Sequence, residues 1–382
     1  MGRLYERVKE IAKKGDMILL ALCVVATGFG IVMIYAATSS GSNSRYITIQ
    51  TACLIIGIVL YFALTAFDID ILAGQRTALF LFNVVFISLL IPFGEEVNGN
   101  RSWLHFPFLP FNIQSAEVCK IAFIIIIART LSVNRTRTSS IRSVSQLVFH
   151  MLFIVAFYVF ISGDTGVSLI FVFIFLIMAY VGGVNGLWFL AGGGALAVGG
   201  PLIWRYLLSD EQKGRILALY DPTIDPNGLD ELWQTNQNLK TLRNGGLSGQ
   251  GLFKGSMTNS GAIPARHTDS IFSTIGEQLG MVGCLVVLIL LLAIVARIIY
   301  VGVKTPDYQN RLICMGVAAM LLFQIFINVG VCIGLLPVIG LALPFFSYGG
   351  SSILTSFISM GIVSGIKMRP SPDSSAHYIR PY

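Results

Sequence analysis

Long apolar segments follow one another along the chain, and one long polar stretch interrupts them between Trp204 and Asp269. A helix needs roughly 20 mostly apolar residues to cross a bilayer, because lipid satisfies no open backbone group. The pattern predicts ten spans, at 17–38, 46–67, 77–93, 116–131, 144–161, 166–181, 187–204, 269–300, 311–336 and 352–366. Only residues 182–186 separate the sixth span from the seventh, so eight or nine spans are the alternative.

The composition supports a membrane protein. Apolar residues make up 55% of the chain and charged residues 12%, whereas about 25% of a soluble protein is charged. The expected fold is an all-α integral membrane protein of about ten helices with a long extracellular loop between helices 7 and 8. We expect a cytoplasmic tail at 1–16, a polytopic membrane domain at 17–366 with its external loop at 205–268, and a second cytoplasmic tail at 367–382.

The basic residues of the tails and short loops give the orientation. With ten spans they all fall on one side, which the positive-inside rule makes cytoplasmic. They are Arg3, Arg7, Lys9, Lys13, Lys14, Arg135, Arg137, Arg142, Lys304, Lys367, Arg369 and Arg380. Both termini are then cytoplasmic, and the net charge of +7 reflects topology rather than nucleic-acid binding.

Several ionisable residues lie at or within the predicted spans, where charge is costly and usually functional. Glu117 and Lys120 share a helix face, and they form either a functional pair or a purely structural one. Asp164 lies between spans five and six at the external surface, where it is either a functional residue or the cap of the helix that follows it. Trp103, in the external loop after span three, either contacts substrate or belongs to the interfacial aromatic belt.

Asp269 ends the long external loop, next to Arg266 and His267 and at the mouth of the bundle. A carboxylate there can act as a general base towards a substrate proton. Asp221 and Asp225 each precede a proline and predict turns, with metal binding as the alternative.

The glycine and cysteine residues predict features of the packing and of the external loop. Gly193, Gly194 and Gly199 in span seven predict close helix packing. The glycines from Gly245 to Gly251 predict a flexible loop, with a phosphate cradle as the alternative. Six cysteines without metal spacing predict small apolar packing residues.

Several motifs together resemble the SEDS family (shape, elongation, division and sporulation), whose members include RodA, FtsW and SpoVE. The segment from Pro344 to Ser352 resembles its signature before the last span. Other matching blocks are Arg101 with Trp103, Asp164 to Gly166, Trp233-Gln234, Gly245 to Gly251, His267-Thr268-Asp269, Glu277 to Gly280, and Asn328 with Gly330 and Pro337. The chain departs from the family at Ser115-Ala116, where Pro-Ser is usual, at Ser102 between Arg101 and Trp103, and at Gln278, where an acid is usual.

The resemblance implies a peptidoglycan glycosyltransferase that polymerises lipid II, as both donor and acceptor, at the outer face of the bacterial cytoplasmic membrane. It implies Asp269 as the catalytic base and polyprenyl diphosphate as the leaving group. The residues we expect to contact substrate are Arg101, Trp103, Glu117, Lys120, Asp164, Arg205, Arg215, Gln234, Lys240, Arg243, His267 and Ser347. A divalent cation, Mg or Mn, would help to stabilise the diphosphate.

By the same resemblance, the expected partner is a class B penicillin-binding protein, in cell elongation, division or sporulation. Two other functions fit a membrane bundle: a flippase for lipid II, and a non-enzymatic scaffold of a wall-synthesis complex. A flippase would favour charges deep in the spans, where few occur, and a scaffold has no use for Asp269. That asymmetry favours the polymerase.

Overall fold

A computed structural model of the chain describes residues 13–38, 44–97, 99–107, 109–206, 208–221 and 223–369. The basic residues Arg3, Arg7, Lys9 and Arg380, on which part of the predicted orientation depends, lie outside these ranges.

The described residues form a helical bundle with one small sheet. The helices before the sheet are α1 (Met17–Thr38), α2 (Ser44–Ala66), α3 (Ile69–Gly74), α4 (Arg76–Ser88) and α5 (Leu90–Phe93). The strands are β1 (Gly94–Val97), β2 (Asn100–Leu104) and β3 (Ile113–Gln114). The helices after it are α6 (Ser115–Val133), α7 (Ile141–Ser162), α8 (Thr165–Val181), α9 (Gly186–Tyr206), α10 (Asp210–Ala218), α11 (Trp233–Gly245), α12 (Ser256–Ser260), α13 (Ile271–Lys304), α14 (Tyr308–Cys332) and α15 (Gly350–Met368).

Each predicted span coincides with a helix, and the protein is a multi-pass membrane protein. Eight helices of the described residues are long and apolar enough to cross a bilayer. Of the other two, α8 has 17 residues, and α6 carries Glu117, Lys120 and Arg129. The count of ten spans, like the division into membrane domain and tails, stays a prediction.

The centre of the bundle is formed by α6, α14 and α15. Most side chains of α14 and α15 are buried, including 78% of the most apolar stretch of each. The helix α15 lies directly along α2, because Gly361 and Gly365 bring its backbone close to Tyr61 and Thr65 of α2. All six cysteines are buried and free, which confirms their predicted role as packing residues.

The prediction of close packing for α9 is wrong. None of its described residues is buried, and a Cβ atom added at Gly193, Gly194 or Gly199 would meet nothing within 4 Å. The start of the helix is attached, since Trp188 Nε1 donates to the Ser139 carbonyl at 3.0 Å. The small residues therefore permit a close approach that no helix of the described chain makes.

One end of the bundle gathers basic residues around a buried acid. Asp16 is fully buried, and its carboxylate lies 2.8 Å from Arg297 Nε and 3.6 Å from Lys367 Nζ. The Tyr61 hydroxyl donates to the Asp16 carbonyl at 2.6 Å. We call this the basic end. Asp269 precedes α13, whose last residues reach the basic end, so Asp269 lies at the opposite end.

Candidate active site

A tight turn carries Asp269 to the start of α13. Ala265 has a φ of +47°, an unusual backbone conformation for a non-glycine residue. Its carbonyl accepts hydrogen bonds from the amides of Thr268 at 3.0 Å and Ser270 at 3.1 Å. The Thr274 hydroxyl donates to the Arg266 carbonyl at 3.0 Å. Such strain persists only where the surrounding structure holds it, and it is common at functional sites.

This turn presents the Asp269 carboxylate at the mouth of the bundle. The side chain is partly exposed, and within the described residues nothing donates a hydrogen bond to it. Burial raises the pKa of Asp269 to about 6. A carboxylate with a pKa near the working pH is both ionised and basic enough to accept a proton in a transition state.

Helix α14 holds the main chain of Asp269. The Asn328 side-chain amide donates to the Asp269 carbonyl at 2.9 Å and to the Leu341 carbonyl at 2.8 Å. The Cys332 thiol, one turn further along α14, contacts the same Asp269 carbonyl at 3.7 Å. The turn is therefore attached to the bundle core through its backbone, which leaves the carboxylate available.

The segment before α15 packs against the same turn. The Ser347 hydroxyl donates to the Thr268 carbonyl at 2.7 Å and accepts from the Leu343 amide at 2.8 Å. The Tyr348 amide donates to the His267 carbonyl at 2.8 Å. Ser347 was predicted to bind substrate, but its hydroxyl is engaged in joining these two segments. We infer that it positions the turn.

Three rings cluster at the turn that carries Asp269. The ring of Tyr46 is 4.7 Å from that of His267 and 4.8 Å from that of Tyr348, centroid to centroid. Burial and the neighbouring Arg266 lower the pKa of His267, so its imidazole is neutral at pH 7. The predicted contact residue His267 thus offers a neutral ring surface next to Asp269.

The predicted pair Glu117 and Lys120 forms in the core. Lys120 Nζ lies 2.6 Å from Glu117 Oε1, and the two residues are 1% and 4% exposed. The carboxylate also accepts from Gln324 of α14 at 3.1 Å and from Thr355 of α15 at 3.0 Å. Gln324 is one helical turn from Asn328, so one side of α14 contacts both the ion pair and the Asp269 turn.

The small sheet holds the predicted loop residues. Trp103 lies in the central strand, opposite Glu95 in β1 and Gln114 in β3. The Asp164 carboxylate accepts from the Val167 amide at 3.0 Å, which confirms it as a helix cap, and from the Ser102 hydroxyl at 2.9 Å. Ser102, which departs from the family pattern, thereby attaches the sheet to α8.

The glycine block is packed, so the prediction of a flexible loop is wrong. Gly280 has a φ of +68° and interrupts α13. The amides of Gln250 and Gly251 donate to the carbonyls of Glu277 at 2.9 Å and Gln278 at 3.0 Å. A Cβ atom at Gly245 would lie 1.9 Å from the Gly276 carbonyl oxygen. These glycines permit direct contact between two backbones.

The Glu277 side chain caps the start of the short helix α12 in the same loop. It is fully buried, and its carboxylate accepts from the amides of Met257 at 2.7 Å and Thr258 at 2.9 Å, and from the Thr258 hydroxyl at 2.6 Å. Arg266 in turn donates to the Thr258 carbonyl at 2.6 Å. The loop is thus connected to the Asp269 turn through Arg266.

The remaining predicted residues lie on the loop and on α9. Gln234 donates to the Ser270 hydroxyl at 3.4 Å, beside Asp269. Arg215 pairs with Glu211 and with Glu231, and Arg205 lies over the Tyr206 ring. Lys240 and Arg243 are exposed on α11 and form no ion pair within the described residues.

The carboxylates of Asp221 and Asp225 in the external loop each accept hydrogen bonds that stabilise a turn. Asp225 accepts from the amides of Leu229, Asp230 and Leu232 at 3.0–3.1 Å, and Asp221 accepts from the Thr223 amide at 2.9 Å. Both confirm the predicted turns. In the described part of the chain, no three histidine, cysteine or acidic side chains come together to hold a metal ion.

Sequence reasoning gave no site role to Asn328, Gln324, Tyr46 or Tyr348. A signal existed for the two amides: Gln324 and Asn328 are four residues apart in the apolar second half of α14, which places both on one face. Nothing in the local sequence around Tyr46 indicated a contact with residues more than two hundred positions away.

Comparisons with known proteins agree with this architecture. The family model described as cell cycle protein, FtsW/RodA/SpoVE, matches residues 17–371. A probable peptidoglycan glycosyltransferase FtsW of Trichlorobacter lovleyi is 32% identical, over 93% of this chain and 94% of its own length. The peptidoglycan glycosyltransferase MrdB of Escherichia coli is 28% identical, over 92% of this chain and 91% of its own length.

Solved structures show the same fold. A chain of a peptidoglycan synthase complex that coordinates polymerization and crosslinking superposes with a TM-score of 0.78 and 28% identity, covering 92% of this chain and 97% of that one. The rod shape determining protein RodA of Thermus thermophilus superposes with a TM-score of 0.68 and 25% identity, covering 92% of this chain and 96% of that one.

Proposed function

The chain belongs to the FtsW/RodA/SpoVE family of cell cycle proteins, and on that basis we propose that it is a peptidoglycan glycosyltransferase that polymerises lipid II. The observation that carries the proposal is Asp269, a carboxylate at the mouth of the bundle, left without a hydrogen-bond donor among the described residues. Burial raises its pKa to about 6. The relatives named peptidoglycan glycosyltransferase cover nearly the whole chain.

In the proposed reaction, the acceptor sugar hydroxyl attacks the anomeric carbon of the donor. A glycosidic C–O bond forms, and the bond between the anomeric carbon and the diphosphate oxygen breaks. The hydroxyl proton passes to the Asp269 carboxylate, and polyprenyl diphosphate leaves with the electron pair. Positioned base catalysis typically contributes about 10²–10⁴-fold to the rate.

The diphosphate accumulates negative charge as it leaves, so it needs cationic partners. The exposed cations of the outer end supply them: Arg101, Arg205, Lys240 and Arg243. We assign the ring surface of Tyr46, His267 and Tyr348 to the sugars, because apolar ring faces pack against sugar C–H groups. We assign further substrate contacts to Trp103 and Gln234, and a supporting role within the fold to Glu117, Lys120 and Asp164.

Among the described residues, no three histidine, cysteine or acidic side chains come together to hold a metal ion. The predicted divalent cation stays a prediction, and the substrate diphosphate would be its main ligand. Polymerisation in the presence and absence of a chelator, with Mg²⁺ or Mn²⁺ added back, tests it.

The proposed orientation places Asp269 on the outer face of the bacterial cytoplasmic membrane and both termini in the cytoplasm. It rests on the positive-inside rule, since Arg135, Lys304, Lys367 and Arg369 all lie at or near the basic end. The proposed partner is a class B penicillin-binding protein, which would crosslink the strands. The orientation can be tested by introducing a single cysteine into each loop of the protein and measuring the accessibility of that cysteine in intact cells.

A reconstitution experiment separates the polymerase from a flippase. Purified protein in proteoliposomes receives fluorescent lipid II, with and without a class B penicillin-binding protein whose transpeptidase is blocked. The polymerase predicts glycan strands that lysozyme digests. Transfer of lipid II between leaflets without strands would instead indicate a flippase, and neither product would indicate a scaffold.

A further inference from the structure

We propose that Asn328 is a positioning residue of this glycosyltransferase: its side-chain amide fixes the main chain of Asp269 and thereby aims the catalytic carboxylate. The inference rests on the proposed function and assigns a role to a residue of α14 that touches neither substrate nor the carboxylate itself.

The geometry fixes the orientation of the amide. One terminal atom of Asn328 lies 2.9 Å from the Asp269 carbonyl oxygen and 2.8 Å from the Leu341 carbonyl oxygen. Both partners only accept hydrogen bonds, so this atom must be the nitrogen, which has two hydrogens to give. One amide thus joins two loops that are about seventy residues apart in sequence.

The Asp269 carbonyl is held by side chains of α14. This carbonyl precedes the first turn of α13. Among the described residues, its hydrogen-bond partners are the Asn328 amide and, at 3.7 Å, the Cys332 thiol. Asn328 and Cys332 are four residues apart, which places them on one side of the helix about 6 Å apart along its axis. Two donors of α14 therefore converge on the carbonyl next to the catalytic side chain.

The same side of α14 contacts the buried ion pair. Gln324, one turn before Asn328, donates to Glu117 at 3.1 Å. The helix therefore sets the axial separation between the Glu117–Lys120 pair and the turn that carries Asp269, about 6 Å between successive donors. A rigid, buried helix is well suited to hold two polar groups in a fixed relation.

The Asn328 nitrogen donates to two carbonyls, while the Asn328 oxygen is left without a partner among the described residues. Asn328 is 2% exposed, and its Oδ1 atom has no hydrogen-bond partner within the described residues. Leaving a buried acceptor unsatisfied costs about 1–3 kcal/mol. An apolar residue would remove that unpaired acceptor but would also leave the Asp269 and Leu341 carbonyls without this donor, so the amide is the group that holds the two carbonyls together.

The test measures polymerisation kinetics of the purified full-length protein in nanodiscs with lipid II. Asn328→Ala is expected to lower kcat by about 10–100-fold, because an error of about 1 Å at a reacting group has effects of this size. KM for lipid II should stay within about twofold. Asn328→Asp, which is isosteric but places acceptor oxygens against two carbonyls, should be at least as slow.

The matched control is Gln309→Ala. Gln309 is a buried amide of the same helix, bonded to Arg129 and Asp70 near the basic end, far from Asp269. It should retain wild-type kcat even where it lowers the melting temperature. Equal kcat losses in the Gln309 and Asn328 variants would attribute both to general destabilisation and overturn the proposal.

A double variant tests whether Asn328 acts through Asp269. In an Asp269→Ala background, Asn328→Ala should cause no further loss of the residual rate, because the group that it aims is gone. A further tenfold loss in that background, or a raised KM with unchanged kcat, would overturn the proposal.

A milder pair of variants covers the case in which Asn328 variants do not fold. Cys332→Ala removes the second donor to the same carbonyl and should lower kcat by a few-fold, and Cys332→Ser should restore it. Identical kcat for both Cys332 variants and wild type would then count against positioning. Absence of strands from the wild type would instead refute the proposed function itself.

Discussion

The ion pair of Glu117 and Lys120 allows a quantitative test of whether it serves structure alone. Both side chains are almost fully buried, and their charged atoms lie 2.6 Å apart. Replacing one partner of a buried pair leaves an uncompensated charge at a cost of about 3–5 kcal/mol. Replacing both partners with apolar residues of similar volume is often neutral.

The surroundings decide which single change costs more. In Lys120→Met, the remaining carboxylate keeps two donors, Gln324 and Thr355, so the cost should be near 3 kcal/mol. In Glu117→Met, the ammonium loses the only acceptor that it has among the described residues, so the cost should be near 5 kcal/mol. In the double variant no charge is left unpaired, but the buried Gln324 amide loses its acceptor, so the free energy of unfolding should fall by about 1–3 kcal/mol.

The assay combines apparent melting temperature in nanodiscs with lipid II polymerisation. The apparent melting temperature should fall in the order wild type, double variant, Lys120→Met, Glu117→Met. If the pair also serves catalysis, the stable double variant should still lose at least about tenfold in rate. A double variant that polymerises like wild type would show that the pair is structural only, and single variants that melt like wild type would refute the electrostatic reasoning.

The further predictions concern Asp269, Gly280 and Glu277. The pKa of Asp269 is raised to about 6, so the rate should fall tenfold for each pH unit below that value. Because a raised carboxyl pKa disfavours the ionised folded state above pH 6, Asp269→Asn should stabilise the protein at pH 7.5 by on the order of 1–3 kcal/mol, measured as a higher melting temperature. Gly280→Ala, whose Cβ would lie 2.3 Å from the Leu247 carbonyl oxygen, should lower the melting temperature, whereas the control Gly193→Ala should not. Glu277→Ala should leave several buried donors unsatisfied and make the external loop more sensitive to protease, while Glu277→Gln should keep part of that resistance.

The helices were predictable because the bilayer imposes a length and an apolar composition on each span, which the chain displays locally. Asp269 was predictable for a related reason, since an acid at the end of a polar loop is visible in sequence. The packing of α9 was not predictable in this way. The glycines at Gly193 and Gly194 permit a close approach, but whether a neighbour is present depends on the rest of the fold.

The supporting contacts of the site escaped prediction because they join distant segments. The flexible-loop hypothesis failed because the left-handed conformation of Gly280 opens α13 to the backbone around Gly249, a relation between two loops. The contacts of the Ser347 hydroxyl with Thr268 and Leu343 were not visible in the sequence, and its assignment to substrate stays a prediction. Asn328 was visible as a family residue, but its two carbonyl partners appear only in the folded chain.

The most direct test of the account is the rate of glycan-strand formation from lipid II by wild type and by Asp269→Asn, each purified with a class B penicillin-binding protein whose transpeptidase is blocked. Melting temperature and lipid II binding establish that both proteins are folded and loaded. The account predicts strands from wild type and a loss of at least about 100-fold in Asp269→Asn. Equal strand formation by the two proteins would contradict it and remove Asp269 from the mechanism.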